Sequence, residues 1–239
     1  MSGNSTSVKF TGERVIEGTT PERIWLDHIC RYEFASGFIS GKDVLDIACG
    51  TGYGSKLLKD ASALKVTGID ISQDSVDYAV NRYSAEGLDY FTGDATDISF
   101  SDSAFDAVVS FETIEHVKDY RLALKEIKRV LKQKGELIIS SPNRILTSPG
   151  KSIEQKPDNE YHYVEFTNSE FAELLSEYFT IKGLYGQRPV NRILLNRYFK
   201  KIIRKLFPEI YSPEKRSPEV KKQSFFQEYR YLVIVCSNA

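Results

Sequence analysis

After Gly41 the apolar and polar positions fall into a repeating order. Asp43–Cys49 is a short, nearly continuous apolar run, the pattern of a strand buried on both faces. Ser55–Leu58 begins a helix. Leu64–Asp70 is a second run, and Ser72–Arg82 follows at helical spacing with Ser72 placed to cap it. Leu88–Phe91 and Phe105–Phe111 read as the third and fourth strands, Tyr120–Leu131 as an amphipathic helix, and Glu136–Ser140 as the fifth strand. Strands alternating with helices predict a parallel sheet covered on both faces. Right-handed crossovers then make it doubly wound.

The flanks read differently. Residues 1–10 are polar and expected to be loose. Thr20-Pro21-Glu22 carries a helix-start signal, with proline near the first helical position and an acid in the first turn. Ile24, Trp25, His28, Ile29, Tyr32, Phe34 and Ala35 then recur at helical spacing up to Gly37. Beyond Ser141-Pro142 a loop over 143–166 holds Pro149, Pro157 and an aromatic cluster. Structureless loops of that length usually carry function. Asn168–Glu177 reads as a helix, and Phe179–Tyr185 and Tyr229–Cys236 as strands.

Composition narrows the class. With 239 residues, 41% of them apolar and 27% charged, the chain suits one globular domain with one sizeable core. No apolar run reaches the roughly 18–20 residues of a membrane span. The start, MSGNSTSVKF, lacks a basic-then-apolar leader, so the expected location is the cytoplasm. Cys30, Cys49 and Cys236 are odd in number and widely spaced, which excludes a disulfide framework and a CxxC metal knuckle. The net charge of −1 hides an asymmetry: residues 1–187 hold 20 Lys+Arg against 29 Asp+Glu, and residues 188–222 hold 11 against 3.

The sharpest local signal is Asp46-Ile47-Ala48-Cys49-Gly50-Thr51-Gly52-Tyr53-Gly54, between a strand and a helix. Glycines allow a tight turn and close ligand approach, and a helix N-terminus offers N–H groups to an anion. Asp70 ends the next strand, where doubly wound folds place an acid on ribose hydroxyls. The spacing G-x-G-x-G is not the dinucleotide fingerprint G-x-G-x-x-G, and no Lys-Ser/Thr pair makes it a phosphate-binding P-loop. Asp46 would repel a pyrophosphate and welcome a cationic or zwitterionic ligand.

Together these residues make residues 43–142 resemble a class I S-adenosylmethionine-dependent methyltransferase of type 11. VLDIACGTGYG (44–54), VTGIDIS (66–72), GDATDISF (93–100), FDAVVSFETIEHV (105–117) and LKQKGELIISSPN (131–143) resemble its successive motifs. The resemblance implies an α/β, doubly wound, Rossmann-like sheet of seven strands, the last antiparallel and inserted beside the fifth. It implies a single domain over 1–239: an N-terminal helical cap (1–40), a cofactor core (43–142), and an acceptor side (143–239) with a basic helical insertion at 188–222. It implies S-adenosyl-L-methionine as cofactor, met by Asp46, Ala48, Gly50, Gly52, Asp70, Ile71, Asp94, Ala95 and Phe111. More loosely, FTGERVIEGTTPERIW, LDHICRYEF and SPN…NEYHYVEF resemble bacterial polysaccharide- and sugar-modifying methyltransferases. By that likeness Arg14 meets the cofactor carboxylate, and Trp25 and Tyr32 line the pocket.

A sulfonium leaving group needs no acid, so a base matters only for a protonated acceptor. Two histidines are placed for it: His116, which follows Glu112 and Glu115 after the fourth strand, and His162 in the long loop. A free imidazole titrates near pH 6.5, which suits a base at neutral pH. Glu112 and His116, four apart, have no third ligand spaced with them, so no metal is expected.

The leading expectation is O-methylation of a sugar, nucleotide-sugar or glycan acceptor. N-methylation of an amino-sugar and a non-catalytic cofactor-binding module are the alternatives. Nucleic acid is disfavoured as a partner: Ser110-Phe111-Glu112-Thr113 stands where base-amino methyltransferases carry D/N-P-P-Y/F, and no cysteine follows the fourth strand. Residues 191–207, with Leu195, Phe199, Ile202 and Leu206 at helical spacing among basic residues, suit packing or homodimer contact, a peripheral membrane or glycan-lipid surface, or, as the least favoured reading, nucleic acid.

Overall fold

A computed structural model describes residues 14–195, 205 and 216–239. In chain order the described residues form α1 (Glu22–Ser36), β1 (Asp43–Ile47), α2 (Tyr53–Asp60), β2 (Lys65–Asp70), α3 (Gln73–Tyr83), β3 (Leu88–Thr92), β4 (Phe105–Ser110), α4 (Tyr120–Val130), β5 (Leu131–Pro142), α5 (Arg144–Thr147), α6 (Asn168–Ser176), β6 (Thr180–Asn191), β7 (Lys221–Lys222) and β8 (Gln227–Ser237). Most of the basic helix expected over 191–207 lies outside the described residues. Its start forms a short 3-10 turn, Arg192–Leu195.

The strands stand in the order β3-β2-β1-β4-β5-β8-β6-β7. β1 to β5 are mutually parallel, and β8 enters antiparallel between β5 and β6. This is the expected arrangement with two corrections. The first is an eighth strand: the two-residue β7 pairs with Tyr185 and Gly186 at the β6 edge. The second correction is length. β6 runs to Asn191, beyond the apolar run, because β8 pairs with it from Thr180 to Asn191. Gly183, Gly186 and Pro189 break the apolar pattern there. Gly186 is required by packing, since a Cβ on it would stand 2.2 Å from the Tyr229 ring.

Alternation in each strand splits the core into two layers. Leu45, Ile47, Val108, Leu137, Ile139, Leu232 and Ile234 pack with Leu124, Ile127, Phe171 and Leu175 of α4 and α6. Val44, Ala107, Val109, Ile138, Val233 and Val235 pack with Tyr32, Ala35, Leu58, Val76 and Ala79 of α1, α2 and α3. The caps explain the helix starts. Ser72 accepts from Ser75 N at α3, Asp119 from Leu122 N at α4, and Thr167 forms a reciprocal capping box with Glu170 at α6. α1 is unusual in burying charge: Asp27 and Arg31 point inward with Tyr32 and Ala35. Asp27 Oδ1 accepts from Arg188 Nε of β6 at 2.6 Å, and Arg31 Nη1 donates to Gln187 Oε1 at 2.7 Å. A buried ion pair therefore ties the N-terminal helix to the far half of the sheet.

Because β2 and β3 lie to one side of β1 while β4 and β5 lie to the other, the direction of winding across the sheet reverses between the parallel neighbours β1 and β4. A crevice opens outside the carboxyl ends of strands at such a point.

Candidate active site

At the end of β1 the chain turns into α2 through Ala48, Cys49, Gly50, Thr51 and Gly52. Ala48, Gly50 and Gly52 all have positive φ, at 57°, 56° and 86°. The three glycines serve different ends. A Cβ on Gly50 would meet nothing within 4 Å, so its backbone faces open space. One on Gly52 would strike Ala79 and Tyr90, and one on Gly54 would sit 2.0 Å from the Tyr32 ring. Gly50 keeps the backbone open to a ligand, while Gly52 and Gly54 admit neighbouring side chains.

Asp70, at the end of β2, is pinned by two backbone donors. Gly50 N donates to Oδ2 and Ser72 N to Oδ1, both at 2.9 Å. Beyond it Ile71 is 73% exposed, an apolar side chain on the cavity wall with solvent over it. Asp94 accepts through Oδ1 from Thr96 N and Thr96 Oγ1, both at 2.8 Å, and it lines the cavity with Gly93 and Ala95. Arg14 Nη2 donates to Ser72 Oγ at 2.9 Å, which puts its guanidinium at the turn carrying Asp70. Thr51 Oγ1 donates to Val15 O at 2.8 Å, so the segment after Arg14 lies across the glycine loop.

Asp46 is placed differently. It is fully buried on the α1–α2 side of β1 and is absent from the cavity wall. Ser55 Oγ donates to Oδ2 at 2.6 Å and Tyr32 Oη to Oδ1 at 3.1 Å. Burial pushes its carboxyl up to about 7, against those hydrogen bonds. Tyr32 reaches the wall in its place. Gly52 also stays off the wall, as does Trp25, whose ring packs against Tyr53 at 4.7 Å.

The cavity measures about 690 Å³ and runs from Gly50, Asp70, Asp94 and Phe111 to His116 and His162. That volume suits a small-molecule site. Glu112 has φ 49° and exchanges hydrogen bonds with Ser140, accepting at 2.6 Å and donating through its N–H at 3.1 Å. Its turn carries the short 3-10 segment Ile114–His116. The long loop returns to this segment, since Tyr163 N donates to Glu115 O at 2.8 Å. The two imidazoles then meet edge to face, ring centres 4.7 Å apart.

Each imidazole is oriented from behind. His162 Nδ1 lies 2.7 Å from Glu165 Oε1, while Thr147 Oγ1 and Ser148 Oγ donate to Glu165 Oε2. Burial works to raise the Glu165 carboxyl, and the hydrogen bonds from His162, Thr147 and Ser148 outweigh it and hold it below its usual range. His162 Nδ1 is thus the proton-bearing nitrogen, and Nε2 accepts from Asn159 Nδ2 at 2.9 Å. His116 Nδ1 lies 3.1 Å from Tyr161 O, which can only accept. Glu115 is 1% exposed, with Oε2 unpartnered, and burial with the nearby Glu112 charge raises its pKa well above normal.

Glu165, Arg23, His28, Arg230 and Tyr231 also line the cavity, and sequence reasoning gave them no role. Glu165 had one signal, its position three residues after His162. Arg230 and Tyr231 had none, because they sit inside a run that reads as a buried strand.

Residues 45–139 match the family profile described as a methyltransferase domain. A probable S-adenosylmethionine-dependent methyltransferase of Mycolicibacterium smegmatis is 35% identical over 171 residues, 71% of this chain and 64% of that protein. A fatty-acid O-methyltransferase of the same organism is 34% identical over 102 residues, 42% of this chain and 37% of that protein. The chain thus spans less than two thirds of either curated relative. A solved S-adenosylmethionine-dependent methyltransferase of Thermotoga maritima, described as a possible histamine N-methyltransferase, superposes with a TM-score of 0.64. It is 21% identical, and the match covers 91% of this chain and 94% of that one.

The residues present fit S-adenosylmethionine. Pinned Asp70 has acceptor capacity left for two ribose hydroxyls. Exposed Ile71 offers apolar cover to an adenine, and Asp94 can accept from its amino group. The open Gly50 backbone suits the amino-acid end. With its motifs, its strand order and this cavity, the chain carries a methyltransferase domain over residues 45–139 and is similar to class I S-adenosylmethionine-dependent methyltransferases.

Proposed function

We propose that the protein transfers a methyl group from S-adenosylmethionine to a hydroxyl of a sugar-like acceptor. The observation that carries this reading is the continuity of one cavity from Asp70 and Asp94 to the imidazole wall, where buried Glu165 orients His162. The cofactor supplies a methyl on a positively charged sulfur, a leaving group that needs no protonation. The chain's own task is to align the acceptor with that methyl and take up its proton. His162 Nε2 suits the second task once the acceptor hydroxyl displaces Asn159 Nδ2 from it, with Glu165 stabilising the imidazolium that forms. Phe111 and Glu112, just after β4, line the same cavity.

The acceptor half favours a polar molecule. Thr147, Asn159, Arg23, Arg230 and Tyr231 line the cavity together with the two imidazoles. Hydroxyl-rich acceptors suit such a wall better than an alkyl chain. The two arginines suit an anionic group on the acceptor, such as the diphosphate of a nucleotide-sugar.

Methyl-labelled S-adenosylmethionine incubated with the protein and fractionated cell extract tests the reading. Label in the nucleotide-sugar or glycan fraction, lost in His162→Ala, supports it. Label confined to lipid, protein or nucleic acid sinks the acceptor assignment.

A further inference from the structure

The acceptor wall brings together three side chains whose donors suit a cation. Ligand atoms of Glu115, His116 and His162 lie within 4.8 Å of one another, the one such group of three among the described residues. We infer that these residues form a binding site for a divalent first-row transition-metal cation. For its part in catalysis the inference rests on the methyl-transfer reading above; for binding it stands alone.

Three observations carry it. Glu115 Oε2 is buried without a hydrogen-bond partner, and an unmatched buried carboxyl oxygen is costly unless something meets it. Both imidazoles have Nδ1 turned to an acceptor, Glu165 Oε1 at 2.7 Å and Tyr161 O at 3.1 Å. Metal-binding histidines are held in this way, their second nitrogen donating to a carboxylate or carbonyl so that the other lone pair is fixed. Third, two imidazoles and one carboxylate leave several coordination positions open, and they open into the cavity that both histidines line.

The donor set selects the metal. Magnesium and calcium prefer oxygen ligands throughout, while imidazole nitrogens favour manganese, cobalt or zinc. Neighbouring ligands on such a cation stand about 3 Å apart, so closing the set takes side-chain movements of about 1–2 Å. The cation takes the His162 Nε2 lone pair that Asn159 Nδ2 now meets at 2.9 Å. In the reaction it replaces the imidazole as the group that activates the acceptor. The acceptor hydroxyl binds through oxygen and gives its proton to solvent. The oxygen pair forms the bond to the methyl carbon, and the carbon–sulfur pair stays on sulfur, leaving S-adenosylhomocysteine.

The test is titration of the chelator-treated chain with Co²⁺, followed by calorimetry and by visible absorption, whose bands report nitrogen and oxygen ligands. One saturable site is expected. Its affinity falls at least tenfold in Glu115→Gln and in His116→Asn. Binding of S-adenosylmethionine, measured on the same samples, stays intact in both ligand variants and shows that they fold. Absence of saturable Co²⁺ binding, or binding unchanged in both ligand variants, overturns the site. Methyl transfer that is undiminished by chelation overturns its catalytic part and leaves His162 as the base. Failure of the unaltered chain to bind S-adenosylmethionine defeats the methyl-transfer reading while the Co²⁺ result stands.

Discussion

Glu165 holds His162 through a 2.7 Å contact between Oε1 and Nδ1, and its other oxygen is occupied by two hydroxyl donors. The carboxylate thus cannot rotate away without breaking three hydrogen bonds. Glu165→Gln keeps the shape but allows the side-chain amide to donate, which favours the opposite tautomer of the imidazole. Turnover is expected to fall by roughly 10²-fold or more, the usual worth of a positioned base. Affinity for S-adenosylmethionine should stay level. Steady-state kinetics in both substrates checks this; a loss confined to cofactor affinity means that Glu165 only shapes the loop.

Asp70 reads out the cofactor half. Two hydrogen bonds from ribose hydroxyls to a carboxylate are worth about 1.5–3 kcal/mol each. Asp70→Ala should therefore weaken S-adenosylmethionine binding by about 100-fold or more. Asp70 also pins Gly50 N and Ser72 N, so Asp70→Asn, which still accepts one of these bonds, should lose less. Calorimetry on both variants ranks them, and equal affinity across all three proteins refutes the ribose assignment.

Asp46 makes stability depend on pH. Its folded pKa, about 7, lies above its ordinary value of 3.8, so the folded chain holds the proton longer than the unfolded one. The contribution is full below pH 4 and is lost as pH rises through 7. Asp46→Asn removes it, at a scale on the order of a few kcal/mol. Melting temperatures from pH 5 to 8.5 should decline less for the variant than for the unaltered protein.

The pair Asp27–Arg188 is 1% and 3% exposed. Removing one partner leaves a buried uncompensated charge, which costs about 3–5 kcal/mol. Asp27→Ala is expected to destabilise by that amount in urea unfolding. Paired replacement of Asp27 and Arg188 by apolar residues should recover much of it.

What the sequence disclosed follows from the range of the interactions involved. β1 to β5 and the turn acids Asp70 and Asp94 are local: each strand is an apolar run and each acid sits at its end. The roles of Gly52 and Gly54 depended on Tyr90, Ala79 and Tyr32, which no local spacing points to. That Asp46 lies beneath Tyr32 and Ser55 is a tertiary fact with no local signal. β6 was read short because glycine and proline interrupt it, although β8 alone fixes its length. Glu115 and His162 are 47 positions apart in sequence. Their meeting depends on the fold of 143–166, which has little regular structure to predict.

Gly54 shows how far a missing side chain can reach. Its bare Cα admits the Tyr32 ring, and Tyr32 carries a hydroxyl to Asp46. A methyl group at position 54 would displace the ring and remove a donor from the carboxylate. The proton on Asp46 would then persist to still higher pH. The ionisation of a buried acid is therefore tuned by a glycine in the first turn of the helix that follows it.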